Sequence, residues 1–296
     1  MSSASWRALR GAKPGRALAT LVRKAVPFAA GEIVLVACSG GPDSVALASV
    51  LDRVAREDGF DLVLGHVNHG IRESALQDEC IVVSVGARLG RAVKVADAGV
   101  ERDDEASLRD RRYAVLGALA AAAGARAIAT AHTAEDQTET VLLALFRGTG
   151  LDGLAGIPPA RELPGALRLL RPLLRATHAD LAAELYRSAL PYALDPTNAD
   201  RRYRRNALRH ALAGLRAEFP QLDRAVARCA EIVRGELADG ERGAARRELR
   251  ARLRAHGDLR DIPFERIEAA LDAGSDRRVF LKTGLELDAG DLRGSH

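Results

Sequence analysis

Short apolar runs alternate with longer segments of helical periodicity through the first 170 residues. The apolar runs are rich in β-branched residues, as buried strands are, and they lie at residues 33–37, 62–67, 91–95, 127–130 and 167–170. Apolar side chains three and four positions apart predict helices between them, at residues 43–56, 74–89, 107–123 and 134–146. This alternation is typical of βαβ units, so we predict an α/β fold with a mostly parallel sheet and helices on both faces.

The alternation stops near residue 171, and the rest of the chain is predicted to be mainly helical. Residues 177–188 and a long arginine-rich segment at residues 201–255 have helical periodicity, and a loop separates them. A short helix at residues 264–271 and a strand at residues 278–281 are predicted near the end. We therefore expect three parts: a basic N-terminal leader or helix at 1–30, an α/β domain at 31–211, and a smaller, mainly helical C-terminal region at 212–296.

A glycine-rich loop, Ser-Gly-Gly-Pro-Asp-Ser at residues 39–44, connects the first predicted strand to the first predicted helix. Main-chain N–H groups and a helix N-terminus suit a bound anion, and the glycines let the backbone approach it closely. The loop lacks the lysine of a G-x-x-x-x-G-K-[ST] motif, so it is not a P-loop of that kind. Asp43 could orient Mg²⁺ or a reacting group. We predict that the whole loop binds phosphate: Ser39, Gly40, Gly41, Pro42, Asp43 and Ser44.

Polar segments also follow the second and fourth predicted strands, at the edge where parallel sheets bind ligands. They are HVNHG at residues 66–70 and ATAHTAEDQ at residues 129–137, and further motifs follow at residues 146–154, 171–174, 194–198 and 203–209. The glycine-rich loop resembles the S-G-G-x-D-S PP-loop of the ATP-pyrophosphatase superfamily. The ordered set of motifs across residues 33–209 resembles that of the tRNA(Ile)-lysidine synthetases, with Glu135 where relatives commonly carry aspartate.

This resemblance implies a Rossmann-like PP-loop catalytic domain at residues 31–211 and a reaction in two steps. The C2 oxygen of the wobble cytidine (position 34) of tRNA(Ile) with a CAU anticodon attacks the α-phosphate of ATP, and pyrophosphate leaves. The ε-amine of L-lysine then displaces AMP from C2, which gives lysidine. The implied cofactors are ATP and Mg²⁺, and the implied location is the cytoplasm. The sequence does not decide whether the protein forms a homodimer.

Five residues are candidate catalytic groups: Asp43, Arg109, Arg112, His132 and Asp136. Asp136 and Glu139 lie three positions apart on one helix face and could hold the lysine ammonium or take its proton, or they could be surface acids without a role. Arg109 and Arg112 could clamp a carboxylate or the α-phosphate, or they could form a solvated helix face. His132, at a strand end, could assist proton transfer or contact phosphate.

His66 ends the second predicted strand. There it could contact the nucleotide or be a hydrogen-bonded core histidine. A zinc pair of His66 and His69 would lack further ligands at sensible spacing. The cysteines, at positions 38, 80 and 229, form no CxxC pair and no disulfide framework, which fits a reducing compartment. A tRNA-thiolating relative would need paired cysteines or a metal cluster bound by cysteines. Thiolation is therefore the less favoured enzymatic alternative.

An arginine cluster surrounds Tyr203. Arg201 and Arg205 could neutralise tRNA phosphates while Tyr203 stacks on a base or sugar. A solvated helix face is the alternative, and a GC-rich genome could explain much of the net charge of +4. The cluster disfavours an amidating ATP-pyrophosphatase acting on a small molecule. An intact loop disfavours a degenerate, non-enzymatic tRNA-binding relative.

No segment approaches the roughly 20 consecutive apolar residues of a membrane span. We therefore expect no membrane partner. The first 30 residues have no apolar core of a secretory signal, although their basic, acid-poor character also suits a transit peptide.

Overall fold

The computed structural model describes residues 14–25, 27–68, 75–97, 105–194 and 204–238, and beyond these residues 245, 248–249, 266, 269, 271–272, 278–282 and 285–288. Its helices are α1 (Pro14–Ala25), α2 (Pro42–Asp58), α3 (Ala75–Leu89), α4 (Glu105–Ala122), α5 (Ala134–Phe146), α6 (Leu151–Leu154), α7 (His178–Ser188), α8 (Arg204–Glu218) and α9 (Leu222–Leu237). Its strands are β1 (Ile33–Ala37), β2 (Asp61–Asn68), β3 (Ala92–Asp97), β4 (Ala127–Ala129), β5 (Ala160–Leu163), β6 (Leu167–Leu170), β7 (Arg278–Lys282) and β8 (Leu285–Asp288).

Six strands form one sheet in the order β3-β2-β1-β4-β6-β5. All neighbours pair in parallel except β5, which pairs antiparallel with β6 at one edge. The strand order reverses on either side of β1, since β2 lies beside one edge of β1 and β4 beside the other. The carboxyl ends of β1 and β4 therefore border the crevice in which such sheets bind ligands.

The sheet is covered on both faces, as the apolar pattern predicts. Val34 and Val36 join a buried cluster with side chains of α1, α2, α3 and α7. Leu35 points to the opposite face, where it joins a second cluster that includes Leu116 of α4 and Leu169 of β6. Alternate residues of β1 thus enter two different cores, which is why the strand is apolar at every position. The predicted α/β fold class is confirmed.

Several features of the chain differ from the sequence prediction, and α6 and β8 are two short elements that it did not include. The strand β5 was not predicted, because its residues are mostly exposed and only one neighbour pairs with it. The helix predicted over residues 201–255 is interrupted: α8 ends at Glu218 and α9 starts at Leu222. Pro220 explains the break, because proline disfavours a helical conformation in the residue before it and has no N–H to donate. The predicted strand at 278–281 is observed as β7.

The chain divides into two compact units. One comprises residues 1–143 and 157–227, and the other comprises residues 144–156 and 228–296. The three-part division expected from the sequence stays a prediction. Within the described part of the chain, no helix has the length and apolar character that a membrane span requires.

Candidate active site

The phosphate loop between β1 and α2 is held in shape by its two serines. The hydroxyl of Ser44 donates to the carbonyl of Gly41 at 2.9 Å and accepts from the main-chain N–H of Ser39 at 3.1 Å. The two serine hydroxyls lie 3.2 Å apart. Pro42 occupies the first turn of α2, where a missing N–H costs nothing. Ser44 therefore closes the loop around the helix N-terminus, and its proposed contact with phosphate stays a prediction.

Gly40 is the position at which this loop requires glycine. Its φ is +86°, a left-handed conformation that other residues rarely adopt. A Cβ there would stand 3.1 Å from the carbonyl oxygen of Asp78 in α3. The carbonyl of Gly40 accepts a hydrogen bond of 2.9 Å from Ala193, in the segment after α7. The loop is thus packed between α3 and this later segment.

His66 lies at the end of β2 and is 3% exposed. Its Nδ1 is 2.9 Å from the carbonyl oxygen of Cys38, the residue before the loop. A carbonyl only accepts, so Nδ1 carries the proton and donates. His66 is therefore a hydrogen-bonded core histidine that holds the residue just before the loop. Its direct contact with a nucleotide stays a prediction.

The N-terminus of α5 carries the predicted acidic residues. Thr133 and Asp136 form reciprocal hydrogen bonds: the Asp136 carboxylate accepts from the main-chain N–H of Thr133 at 2.9 Å, and the Thr133 hydroxyl accepts from the N–H of Asp136 at 3.4 Å. Such a box explains why α5 begins here. The cap uses Oδ2 of Asp136. His132, just before it, places Nδ1 3.0 Å from the Thr130 hydroxyl.

Glu139 is fully buried, and arginines of α8 surround its carboxylate. Arg209 donates to both oxygens, at 2.8 and 3.1 Å. Arg205 places Nε 3.5 Å from Oε2 and donates from Nη2 to Thr140 at 2.9 Å. Glu139 and Arg205, both predicted to bind substrate, therefore meet each other. Arg209 belongs to the arginine cluster that the sequence analysis proposed to face tRNA, and its spacing of four from Arg205 places both on one helix face.

His178, at the first position of α7, was missed by the sequence reasoning. Its Nε2 is 3.4 Å from Oδ2 of Asp43, and its Nδ1 is 3.7 Å from Oε1 of Glu135. Burial lowers the pKa of His178, but the Asp43 and Glu135 carboxylates raise it more, to about 9. Burial raises the pKa of Glu135, and its Oε2 has no hydrogen-bond partner. No sequence motif marks His178, because it meets these acids only in the folded chain.

Three helices therefore begin within side-chain reach of one another. Asp43 lies in the first turn of α2, Glu135 in the first turn of α5, and His178 starts α7. Each helix N-terminus contributes a partial positive charge. Together with the glycine-rich loop, this edge of the sheet suits the phosphates of a nucleotide.

The other predicted residues are placed as follows. Arg112 is exposed on α4. The side chain of Arg109, and the whole of His69, Arg201 and Tyr203, lie outside the described residues. Their predicted roles stay predictions.

The charge of His178 predicts how stability changes with pH. Its folded pKa of about 9 lies above the ordinary value of 6.5, so the folded state holds the proton more tightly. The stabilisation is complete below about pH 6.5 and is lost as the pH rises through 9. Chemical unfolding of the wild type and of His178→Gln between pH 6 and 10 should show a stability difference that shrinks over this range. A difference that stays constant would contradict the ion pair.

Comparison with known proteins agrees with this geometry. Residues 15–215 match the PP-loop domain family. A tRNA(Ile)-lysidine synthase of Salinispora tropica is 40% identical over 228 residues, which cover 73% of this chain and 68% of the relative. The chain belongs to the tRNA(Ile)-lysidine synthase family of PP-loop proteins. The resemblance seen in the sequence motifs is thereby confirmed.

The family relatives differ from this chain in length. The tRNA(Ile)-lysidine synthase of Ralstonia nicotianae is 42% identical over 203 residues, which cover 67% of this chain but only 44% of the relative. The chain thus spans less than half the length of that relative. Among solved structures, the U34-tRNA thiolase NcsA from Methanococcus maripaludis, described with its [4Fe-4S] cluster, matches with a TM-score of 0.62 at 17% identity. The match covers 73% of this chain and 77% of the thiolase. At this identity the likeness concerns the fold.

Proposed function

We propose that the protein ligates L-lysine to C2 of the cytidine at position 34 of tRNA(Ile) with a CAU anticodon, in an ATP-dependent reaction. The products are lysidine, AMP and pyrophosphate. The observation that carries the proposal is the position of Asp43 in the phosphate loop, 3.4 Å from His178 at the start of α7, in a chain of the tRNA(Ile)-lysidine synthase family. Use of ATP follows from membership of that family.

In the first step, the loop amides between Ser39 and Ser44 hold the phosphates of ATP. The C2 oxygen of the cytidine forms a bond to the α-phosphorus, and the bond to pyrophosphate breaks. Amides aimed at a developing negative charge stabilise it without reorganising during the reaction. Asp43, which is half-exposed at the edge of the loop, orients the reacting groups.

In the second step, the lysine amine forms a bond to C2, and AMP leaves with the C2 oxygen. The amine must lose protons, and a carboxylate beside it is a suitable acceptor. Asp136 is the best-placed group, because its cap occupies Oδ2 and leaves Oδ1 for the substrate. Glu139 pairs with Arg205 and Arg209 in this structure, so we propose that it holds α8 against α5 beside the site. We also propose that Arg109 and Arg112 clamp the α-phosphate or the lysine carboxylate and that His132 assists proton transfer.

Magnesium enters this proposal with the nucleotide. Among the residues that the structure describes, no group of three His, Cys, Asp or Glu side chains could hold a metal ion. Mg²⁺ commonly keeps several waters and binds substrate phosphates with few protein ligands, so the donor set fits an ion carried in by ATP. Bound there, it would offset the charge of the phosphates.

The substrate RNA is proposed to contact the arginine-rich segment that includes Arg201, Tyr203 and Arg205. Such contacts neutralise phosphates and would make binding weaker at higher salt. A tRNA substrate also suits a cytoplasmic location. The chain covers 44% of one curated relative, so its ability to bind tRNA unaided is itself part of the proposal.

The proposal is tested by incubating the purified protein with ATP, Mg²⁺, radiolabelled lysine and tRNA(Ile) bearing CAU. We expect lysine on the RNA, with one AMP and one pyrophosphate released for each lysine. A tRNA(Ile) transcript with uridine at position 34 is the matched control and should accept none. Pyrophosphate release without lysine incorporation would assign the protein to another nucleophile and reject the proposal.

A further inference from the structure

We propose that His178 is a positioning residue that holds Asp43 in its working orientation at the phosphate loop. Its imidazole stands between two carboxylates from different helices, 3.4 Å from Asp43 in α2 and 3.7 Å from Glu135 in α5. The inference rests on the proposed function, because it concerns how the ATP-binding edge of that site is arranged.

The position of His178 is set by the backbone. Thr177 caps α7 in a reciprocal box with Asp180. The carbonyl of Ala176 accepts a 2.8 Å hydrogen bond from Ala134, and the N–H of His178 donates to Oε1 of Glu135 at 2.8 Å. The start of α7 is therefore tied to the start of α5, which holds the backbone of His178 beside Asp43.

Asp43 depends on that support. Its side chain is 38% exposed, and the only ion pair it makes within the described part of the chain is with His178. A half-exposed carboxylate without a partner samples several rotamers, and ordering it when substrate arrives costs conformational entropy. The ion pair with His178 restricts the Asp43 side chain and so lowers this cost before ATP binds.

His178 also changes the charge that an incoming nucleotide meets. The loop itself contains no lysine or arginine. The acidic groups that act on His178 are Asp43 from α2 and Glu135 and Asp136 from α5. Arg209 of α8 also attracts Asp43 and Asp136, and a cationic His178 adds to Arg209 in offsetting negative charge that repels phosphates. Its raised pKa agrees with a cation at neutral pH.

The experiment compares three variants of the full chain in the pyrophosphate-release assay. His178→Gln keeps a polar side chain without charge, and His178→Arg keeps a positive charge. Arg187→Gln is the matched control, because it removes a charge near the opposite end of the same helix, where Arg187 pairs with Glu184. Thermal unfolding checks that all three fold.

We expect His178→Gln to lower kcat about 10- to 100-fold, the range for a misplaced reacting group, with little change in the KM for tRNA. His178→Arg should recover at least about tenfold of that loss, and Arg187→Gln should match the wild type. A fully active His178→Gln, or equal losses for glutamine and arginine, would overturn the proposal.

A second measurement does not depend on the reaction. In protein labelled with ¹⁵N-histidine, Asp43→Asn should shift the Nε2 resonance of His178, because Asp43 is its nearest carboxylate. An unchanged resonance would contradict the ion pair between His178 and Asp43, whatever reaction the protein catalyses. If the resonance shifts but the wild type adds no lysine to tRNA, the ion pair between His178 and Asp43 is supported and the proposed reaction is rejected.

Discussion

Replacing Asp43 by alanine is expected to reduce lysine incorporation by about 1,000-fold or more while the protein still folds. The residue lies in the first turn of α2 and projects from the loop that is proposed to hold the phosphates. Removal of one oriented polar group from a preorganised site typically costs two to three orders of magnitude, and loss of a fixed reacting geometry adds to this. Both pyrophosphate release and lysine transfer should be measured.

The matched control for this substitution is Asp58→Ala, at the other end of the same helix. Asp58 pairs with Arg23 on an exposed surface, so the same chemical change there should leave activity within about twofold. An Asp43→Ala protein with near wild-type activity and an unchanged unfolding temperature would exclude a catalytic role for Asp43.

Replacing Arg209 by methionine is expected to destabilise the protein by about 3 kcal/mol. The change removes both short hydrogen bonds to Glu139, whose side chain is fully buried. A buried carboxylate that loses its partner keeps the cost of desolvation without the compensating attraction, although Arg205 remains at 3.5 Å and limits the loss. Urea unfolding should measure the difference.

Two further variants identify the cause of that loss. Arg209→Met combined with Glu139→Gln removes the uncompensated charge, so the double variant should recover a good part of the stability. Arg23→Met makes the same substitution in an exposed ion pair and should cost less than about 1 kcal/mol. If the two arginine variants lose equal stability, the buried pair has no special importance.

Most of the sheet could be predicted because buried parallel strands and their helices carry their pattern locally. β1 is apolar at every position, since both of its faces enter a core, and α2 starts at a proline and ends at a glycine in a left-handed conformation. β5 carries no such pattern, because its burial depends only on the hairpin it forms with β6. The break between α8 and α9 could have been found from Pro220.

The local features of the candidate site could also be predicted from the sequence, and its long-range contacts could not. The loop at residues 39–44 and the cap formed by Thr133 and Asp136 are local, so spacing alone indicates them. Glu139 was found as an acid on the right helix face, but its burial and its pairing with Arg209, 70 residues away, were not. A sequence pattern shows which residues a helix places on one side and does not show what covers them.

The amino-acid sequence by itself determined the alternation of buried strands and helices, the place of the phosphate loop and the family. These depend on side-chain periodicity, on glycine and proline, and on contacts over a few residues. Only the tertiary structure decided that His178 lies between Asp43 and Glu135 and that α8 neutralises Glu139. Such pairings arise when the folded sheet brings the ends of distant helices together, because electrostatic interactions act across space and not along the chain.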